Sequence, residues 1–332
     1  MFKRALIAAA VAAAVSAPAF ADVSITGSME MNFMVVDTDA ATTHELDRGL
    51  QIDFSGSDKL DSGSSLIWKV SQKITSGNTN NHTDSYLSQQ AWGGREGWVG
   101  FTGDWGTFKL GRQFLNSYLT LDWPYGQGGN WQLAENNWFA PAAAGKLTAH
   151  FLNGASANYV SPSFGGFSFG VQHSWDVKAG NQNGVDLGDN SITDLSANYS
   201  AGSLGLNAGY LFGSDVGSKG DASQWYVGAT YGFDFGLNLR ALYTGYSKDV
   251  NGGASQDGFD WIVGGTYSFG KSFVKASYHG ADADNLAGSR SIASVEYGYS
   301  LSKNTVGYAR YQWRNKEAGD LQYGMVGVWT GF

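Results

Sequence analysis

The segment that decides the fold begins at Gly111-Arg112-Gln113 and passes through Asp122-Trp123-Pro124-Tyr125-Gly126-Gln127-Gly128-Gly129-Asn130-Trp131. It is the one long stretch after the N-terminus without the alternation of apolar and polar residues that is typical of strands, and it holds two of the four prolines. A long insert without strand pattern in a compact fold is usually functional, unless the elements around it are wrongly assigned. We therefore predict that residues 114–154 fold inward as a loop and set the width of a pore.

On both sides of this segment the sequence reads as short strands separated by turns. In the first of them, 22–33, Val23, Ile25 and Met29 alternate with polar residues, and this period of two indicates a strand with two different faces. Counting such runs gives 16 strands, an even number, as bacterial barrels require. The predicted fold class is all-β: a 16-stranded antiparallel transmembrane β-barrel with an inward-folded third loop.

The connections between the predicted strands differ in length in a regular way. Every second connection is a turn of a few residues, and the others are longer and rich in Asp, Asn, Gly and Ser, such as 176–191, 213–222 and 248–257. Short turns on one rim and long loops on the other are typical of outer-membrane barrels. A soluble β-sandwich has no reason to sort its loops in this way, and the repeated blade motifs of a β-propeller are not found.

The N-terminus predicts export from the cytoplasm. Lys3 and Arg4 precede an apolar run over 5–15, and Ala19-Phe20-Ala21 has the small-x-small pattern of a cleavage site. We expect 1–21 to be a signal peptide and 22–332 to form the barrel; an N-terminal membrane anchor is the alternative. No later run reaches the roughly 20 apolar residues of a spanning helix, so an exported soluble β-protein is the other possibility.

Composition excludes several classes of protein. The chain has no cysteine, so disulfide frameworks and cysteine zinc sites are excluded. Without Lys3 and Arg4, 19 of the 21 basic residues remain against 29 acidic ones, a formal charge of −10, and nucleic-acid binding is therefore not expected. We expect no cofactor and no metal site, because the Asp-rich loops 184–190 and 280–285 lack the spacing of a calcium loop.

Alternation along the strands also predicts which basic residues line the pore. Lys69 and Lys73 lie opposite the apolar Leu66, Trp68 and Val70. A bare Lys or Arg facing lipid costs about 2–4 kcal/mol near the bilayer midplane, so these side chains should point inward. The alternative for each is a rim residue that binds lipid headgroups or lipopolysaccharide. The predicted lumen wall residues are Lys109, Arg112, Arg240, Lys275 and Arg310.

Two stretches resemble a known family. The run Arg95-Glu96-Gly97-Trp98-Val99-Gly100-Phe101-Thr102-Gly103-Asp104-Trp105-Gly106-Thr107-Phe108-Lys109-Leu110-Gly111-Arg112-Gln113 is similar to the fourth and fifth strands of the general porins of Gram-negative outer membranes. The run Tyr159-x-Ser161-Pro162-x-Phe164-Gly165-Gly166-Phe167-Ser168-Phe169 resembles the hairpin that follows the constriction loop of those porins. The terminal Phe332 also fits, although Trp329-Thr330-Gly331-Phe332 lacks the basic residues that many of these porins carry there.

The resemblance implies a homotrimer of water-filled channels in a Gram-negative outer membrane, each narrowed by its third loop. In that family acidic loop residues face basic wall residues across the constriction. Arg95 falls on the wall arginine of the family, and Asp122 and Glu135 are the acids of the loop, so with Lys69 and Lys73 they form the predicted constriction. Phe332 would be the C-terminal residue that takes part in assembly by the barrel-assembly machinery.

Three functions remain open at this point. The first is a general porin for small hydrophilic solutes and ions; its wall is expected to be basic and its loops acidic, and the net charge weakly favours cations. The second is a porin specific for sugar or aromatic solutes, because the loop carries Tyr118, Trp123, Tyr125 and Trp131, although packing of these rings against the wall explains them equally simply. The third is a barrel hydrolase, but the five scattered histidines include no recognisable catalytic motif, and we expect no enzyme.

Overall fold

The computed structural model describes residues 22–76, 93–127, 133–134, 147, 152–175, 190–215, 220–249, 254–284, 289–316 and 319–332. The predicted fold class is confirmed, because 16 antiparallel strands close into one barrel. The predicted signal peptide, 1–21, lies outside the described residues. No helix among the described residues is long and apolar enough to span a membrane.

The strands follow one another around the barrel in chain order. They are β1 (Asp22–Thr38), β2 (Thr42–Lys59), β3 (Ser65–Ser76), β4 (Glu96–Gly103), β5 (Gly106–Phe114), β6 (Leu152–Val160), β7 (Phe167–Trp175), β8 (Ser191–Ala201), β9 (Leu204–Ser214), β10 (Ala222–Gly232), β11 (Leu237–Lys248), β12 (Gln256–Phe269), β13 (Ser272–Ala283), β14 (Arg290–Ser300), β15 (Thr305–Lys316) and β16 (Gly319–Gly331). Each pairs with its neighbours in the sequence, and β1 closes the barrel by pairing with β16 from Ser28↔Gly331 to Thr38↔Leu321.

The two faces of the barrel differ as the alternation predicts. In β10, Trp225 and Val227 are exposed on the outside, whereas Gln224 and Tyr226 are buried on the inside. Phe169 and Val171 of β7 are likewise exposed, whereas Gln172, the residue after Val171, is buried. An apolar outer face and a polar inner face are the arrangement that a barrel in lipid requires.

The first connection on the long-loop rim is shorter than the strand pattern of the sequence indicates. The first strand was predicted to end at residue 33, but β1 and β2 are 17 and 18 residues long and leave only 39–41 between them as a turn. The strand pattern is hidden there because Met34 and Val36 turn an apolar side inward. They pack against Tyr308, Tyr323 and Met325 of the adjoining strands.

A helix lies inside the segment that was predicted as an irregular loop. α1 (Asn116–Gly126) follows β5 after Leu115 alone, and Pro124 lies within its last turn. Before the helix, the pairing of β5 with β6 shifts register between Gly111 and Gln113, and the φ of Gly111 is 126°. A Cβ there would lie 2.4 Å from the carbonyl oxygen of Gly97, so only glycine fits this close approach of β5 to β4.

The orientation of the wall can be tested at Val227, the middle residue of β10, which is 50% exposed on the outer face. We expect Val227→Arg to lower the free energy of unfolding in lipid vesicles by about 2–4 kcal/mol, because the guanidinium would face hydrocarbon. The matched control is Ser268→Arg, on the exposed inner face of β12, where the same side chain meets water. Denaturant titrations followed by gel mobility measure both, and equal losses of stability would contradict the assignment of the faces.

Candidate functional site

The candidate site is the interior of the barrel at the level of α1. The N-terminal end of α1 is bound to the inner face of β6–β8. The backbone N–H of Ser117 donates to Oδ2 of Asp194 at 2.7 Å, and its hydroxyl donates to Oδ1 at 2.5 Å. Asn116 exchanges amide hydrogen bonds with Asn158 at 2.9 and 2.8 Å, and its N–H donates to Gln172. A fully buried carboxylate at a helix N-terminus accepts hydrogen bonds from the free N–H groups there, and its negative charge interacts favourably with the positive end of the helix dipole.

The apolar side of α1 packs against the inner wall. Leu115, Leu121 and Tyr125 are fully buried, in one cluster with wall residues from β8 to β12. Those wall residues are Ile192, Leu211, Ala222, Tyr226, Leu242 and Ile262. The inner face is therefore apolar where it carries the helix.

The C-terminal end of α1 is held by donors from later strands. The hydroxyl of Tyr125 donates to Oδ1 of Asn207 at 2.7 Å, and burial raises the pKa of this phenol, so it remains a donor. Arg240 donates to the carbonyl oxygen of Pro124, and Nζ of Lys275 lies 3.4 Å from that of Gln127. Cations at the last carbonyls of a helix satisfy its unpaired acceptors.

Beyond α1, the described residue Leu133 contacts the inner face of β14 and β15. The carbonyl oxygen of Leu133 accepts from Oγ of Ser294 at 2.7 Å and from Nε2 of Gln312 at 3.0 Å. Together with the contacts of α1, this means that the described residues of the loop contact the inner wall at strands from β6 to β15. Glu135 and Trp131 of the predicted constriction lie outside the described residues, as does the side chain of Trp123.

Three residues of the predicted constriction, Lys73, Arg95 and Asp122, interact on the side of the lumen formed by β1–β4. Lys73 interacts electrostatically with Arg95 and with the carboxylates of Asp122, Glu30 and Asp47. Sequence analysis missed Glu30, which alternates with the outward Met29 and Met31, and Asp47, which follows the outward Leu46. The guanidinium of Arg95 lies 4.9 Å from the ring centre of Phe114. Loop and wall charges are thus brought together beside the start of the loop.

The inner wall is of mixed charge, not basic as expected. Lys69 forms ion pairs with Glu96 at 2.6 Å and with Asp53 at 3.8 Å. Lys275 and Arg310 both bind Glu296, Lys275 at 2.9 Å. These carboxylates lie on the strands next to those of the predicted lysines and arginines. The alternation within a single strand therefore could not reveal the ion pairs.

The motif residues at the end of β5 take two different positions. Lys109 lies on the inner face, with its Nζ 5.0 Å from the ring centre of Trp98. Arg112 follows Gly111, where the pairing of β5 with β6 shifts register, and its Nε donates to the carbonyl oxygen of Gly94 at 2.7 Å. Arg112 thus braces the end of β5 against the segment before β4, and its place in the lumen wall stays a prediction.

Phe332 lies just beyond β16 and completes the seam of the barrel. Its N–H donates to the carbonyl oxygen of Gly27 at 3.0 Å, and its carbonyl oxygen accepts from the N–H of Gly27 at 2.9 Å. Its ring lies over Gly27, where a Cβ would come within 2.6 Å of it. The terminal residue thus extends the β1–β16 ladder to the rim that carries the short turns.

The positions of the histidines give little support to the barrel hydrolase that was the third possible function. Nδ1 of His173 lies 2.9 Å from the hydroxyl of Thr193, and its ring contacts Trp175 on the outer face. His279 and Asp260 form a buried pair at 3.8 Å on the inner face. In the part of the chain that the structure describes, no group of three or more His, Asp or Glu residues could hold a metal ion.

Comparison with known proteins agrees with this geometry. The family model of the Gram-negative porin matches residues 8–319. The major outer membrane protein P.IB of Neisseria meningitidis serogroup B is 28% identical over 194 residues, 54% of this chain and 52% of that protein. The chitoporin of Vibrio furnissii is 31% identical over 121 residues, 36% of this chain and 28% of that protein. The chain thus spans about half the length of the meningococcal relative that it matches.

The fold is also found among solved structures. The anion-selective porin from Comamonas acidovorans superposes with a TM-score of 0.76 at 18% identity, over 94% of this chain and all of that one. The family model covers nearly the whole sequence and the closed 16-stranded barrel agrees with it. The chain belongs to the Gram-negative porin family and is a protein of the Gram-negative outer membrane.

Proposed function

We propose that this protein forms a water-filled channel through which small hydrophilic solutes and ions diffuse passively. The observation that carries the proposal is α1, held against the inner wall of a closed barrel by hydrogen bonds at both of its ends. A helix fixed in this way narrows the lumen, and its polar neighbours on β1–β4 give the narrow part its charge. Membership of the porin family supports the same function.

A weak preference for cations is the second part of the proposal. Near the start of the loop the carboxylates of Asp122, Glu30 and Asp47 surround two cations, Lys73 and Arg95. Several other inner charges that the structure describes are compensated in ion pairs, such as Lys69 with Glu96, whereas Arg240 at the end of α1 binds a backbone carbonyl. Fixed charges that face a pore set its ion preference, so the excess of one carboxylate in the group around Lys73 favours cations modestly.

The outer face of the barrel and its family membership suggest which molecules the protein contacts. We propose a homotrimer that is inserted by the barrel-assembly machinery and contacts outer-membrane lipid and lipopolysaccharide. The continuous band of exposed apolar side chains, such as Leu195, Val227 and Val263, supports contact with lipid and with other copies of the chain. We propose no catalytic activity and no cofactor, because the family carries out passive transport.

A porin specific for a sugar is the second candidate function, and the chitoporin relative from Vibrio favours it. Two of the four loop aromatics, Tyr118 and Tyr125, are buried against the wall, which favours a packing role over contact with a solute. The two functions differ in a simple measurement. A specific porin is blocked by one added sugar at low concentration while other sugars leave the current unchanged.

The channel itself is tested by recording from the purified protein in a planar bilayer with a salt gradient. We expect stepwise ohmic openings in groups of three and a reversal potential of the sign that indicates cations. We further expect Asp122→Asn to move the reversal potential towards anions and Lys73→Gln to move it towards cations, because each removes one charge at the narrow part. Asp234→Asn, in the exposed turn between β10 and β11, is the control, and a protein that inserts without conducting would refute the channel.

The anchoring of the loop gives a separate prediction. Asp194→Ala removes the acceptor of both Ser117 hydrogen bonds, and hydrogen bonds to charged groups contribute about 1.5–3 kcal/mol each. We expect the start of the loop to detach, which increases current noise and makes the loop accessible to protease, while the barrel remains closed. Asp234→Ala is the matched control. Quiet currents and a protected loop in Asp194→Ala would show that the wall carboxylate does not hold the constriction.

A further inference from the structure

A small group of polar side chains lies where the end of α1 meets β11–β13. Arg240, Gly264 and Ser277 are neighbours across these three strands on the inner face. The side chain of Gln127 lies over Gly264, because a Cβ at that glycine would come within 2.8 Å of Nε2 of Gln127. We call these four residues the Gln127 niche. The absence of a side chain at Gly264 is what leaves room for the amide.

Four polar atoms of the niche are buried without a partner. Among the residues that the structure describes, no hydrogen-bond partner is found for Nε2 and Oε1 of Gln127, Oγ of Ser277 or Nε of Arg240. Gln127 is 4% exposed and Ser277 is 7% exposed. Buried polar groups in proteins normally have hydrogen-bond partners, so several unpartnered atoms in one place point to a bound molecule.

The charge of the niche selects an anion. The other hydrogen bonds of Arg240 go to neutral oxygens, those of Pro124, Thr266 and Asn238. In the described part of the chain no carboxylate forms an ion pair with this guanidinium. Lys275, two residues before Ser277 on the same face of β13, adds a second cation that is compensated by Glu296. Nε2 of Gln127 and Oγ of Ser277, together with Nε of the uncompensated guanidinium, are three donors that suit an anion with two acceptor oxygens.

The niche opens towards the lumen on one side only. Towards the rim with the short turns, Asn238 and Ser268 are exposed on the inner face. Towards the other rim, Leu242 and Ile262 are buried against α1 and close it. A solute in the half of the lumen next to the short turns therefore meets Arg240 and Lys275 first and the amide of Gln127 behind them.

We propose that the Gln127 niche binds a small carboxylate anion. One carboxylate oxygen accepts from Nε of Arg240, the other from Nε2 of Gln127 and Oγ of Ser277, and Lys275 attracts the anion at the entrance. This binding site lies on the wall behind the end of the helix, across the barrel from Lys73 on β3. The proposal rests on the proposed channel and adds to it an element that retains organic acids in a pore that prefers cations.

The test is recording of single wild-type channels while succinate is added to either side. Succinate is expected to cause brief blockades whose frequency rises with its concentration. Gln127→Glu replaces a donor with a carboxylate that itself neutralises Arg240, so the blockades should shorten by about tenfold, as for the loss of one charge-assisted hydrogen bond. Ser277→Ala removes one donor and leaves every charge in place, and it should shorten them by several-fold.

Gln51→Glu is the matched control, because it adds the same charge beside a cation, Lys73, on β3 across the lumen. Its blockades should last as long as those of the wild type. Conducting channels that succinate does not block, or equal blockades in wild type and Gln127→Glu, would overturn the niche and leave the channel standing. Blockades by sulfate as long as those by succinate would overturn the choice of a carboxylate. A protein that never conducts would overturn the channel itself.

Discussion

The structure depends on the pairing of β1 with β16. In hydrocarbon every backbone N–H and C=O must be bonded within the protein, and an open sheet would leave two unpaired edges. The seam from Ser28↔Gly331 to Thr38↔Leu321, extended by the bonds between Gly27 and Phe332, removes both edges. Once the sheet is closed, alternate side chains must point into a common interior, and this interior can be polar because lipid does not reach it.

A polar interior makes it possible to hold a helix inside the barrel. The free N–H groups at the start of α1 need an acceptor, and Asp194 supplies one from the wall at 2.7 Å. The free carbonyls at its end need donors, and Arg240 and Lys275 supply them. Between the two ends, Leu121 and Tyr125 bury apolar surface against Leu211 and Ile262. The wall is thus divided into a polar region at each end of the helix and an apolar region beneath it.

The strands and their closure could be predicted from the sequence because alternation in lipid is a strict rule, whereas the interior is decided by contacts between distant strands. The burial of Leu115, Tyr118, Leu121 and Tyr125, at intervals of three and four residues, is a helical signal. It was obscured by Pro124 and the glycines that follow. The carboxylates Glu96 and Glu296 stayed hidden for a different reason, since each is recognised only beside the cation on the neighbouring strand.

The same cations that alternation assigns to the lumen therefore have two roles. Arg240 carries a charge that faces the pore, and it also holds the carbonyl oxygen of Pro124 at the end of the helix. Lys275 likewise joins Glu296 to the carbonyl oxygen of Gln127. A change of charge at either residue also releases a bond of the helix that narrows the lumen. Charge and width are consequently coupled on the β11–β13 side, where the wall cations bind backbone carbonyls of the loop, whereas on the β1–β4 side Lys73 interacts electrostatically with the side chain of Asp122.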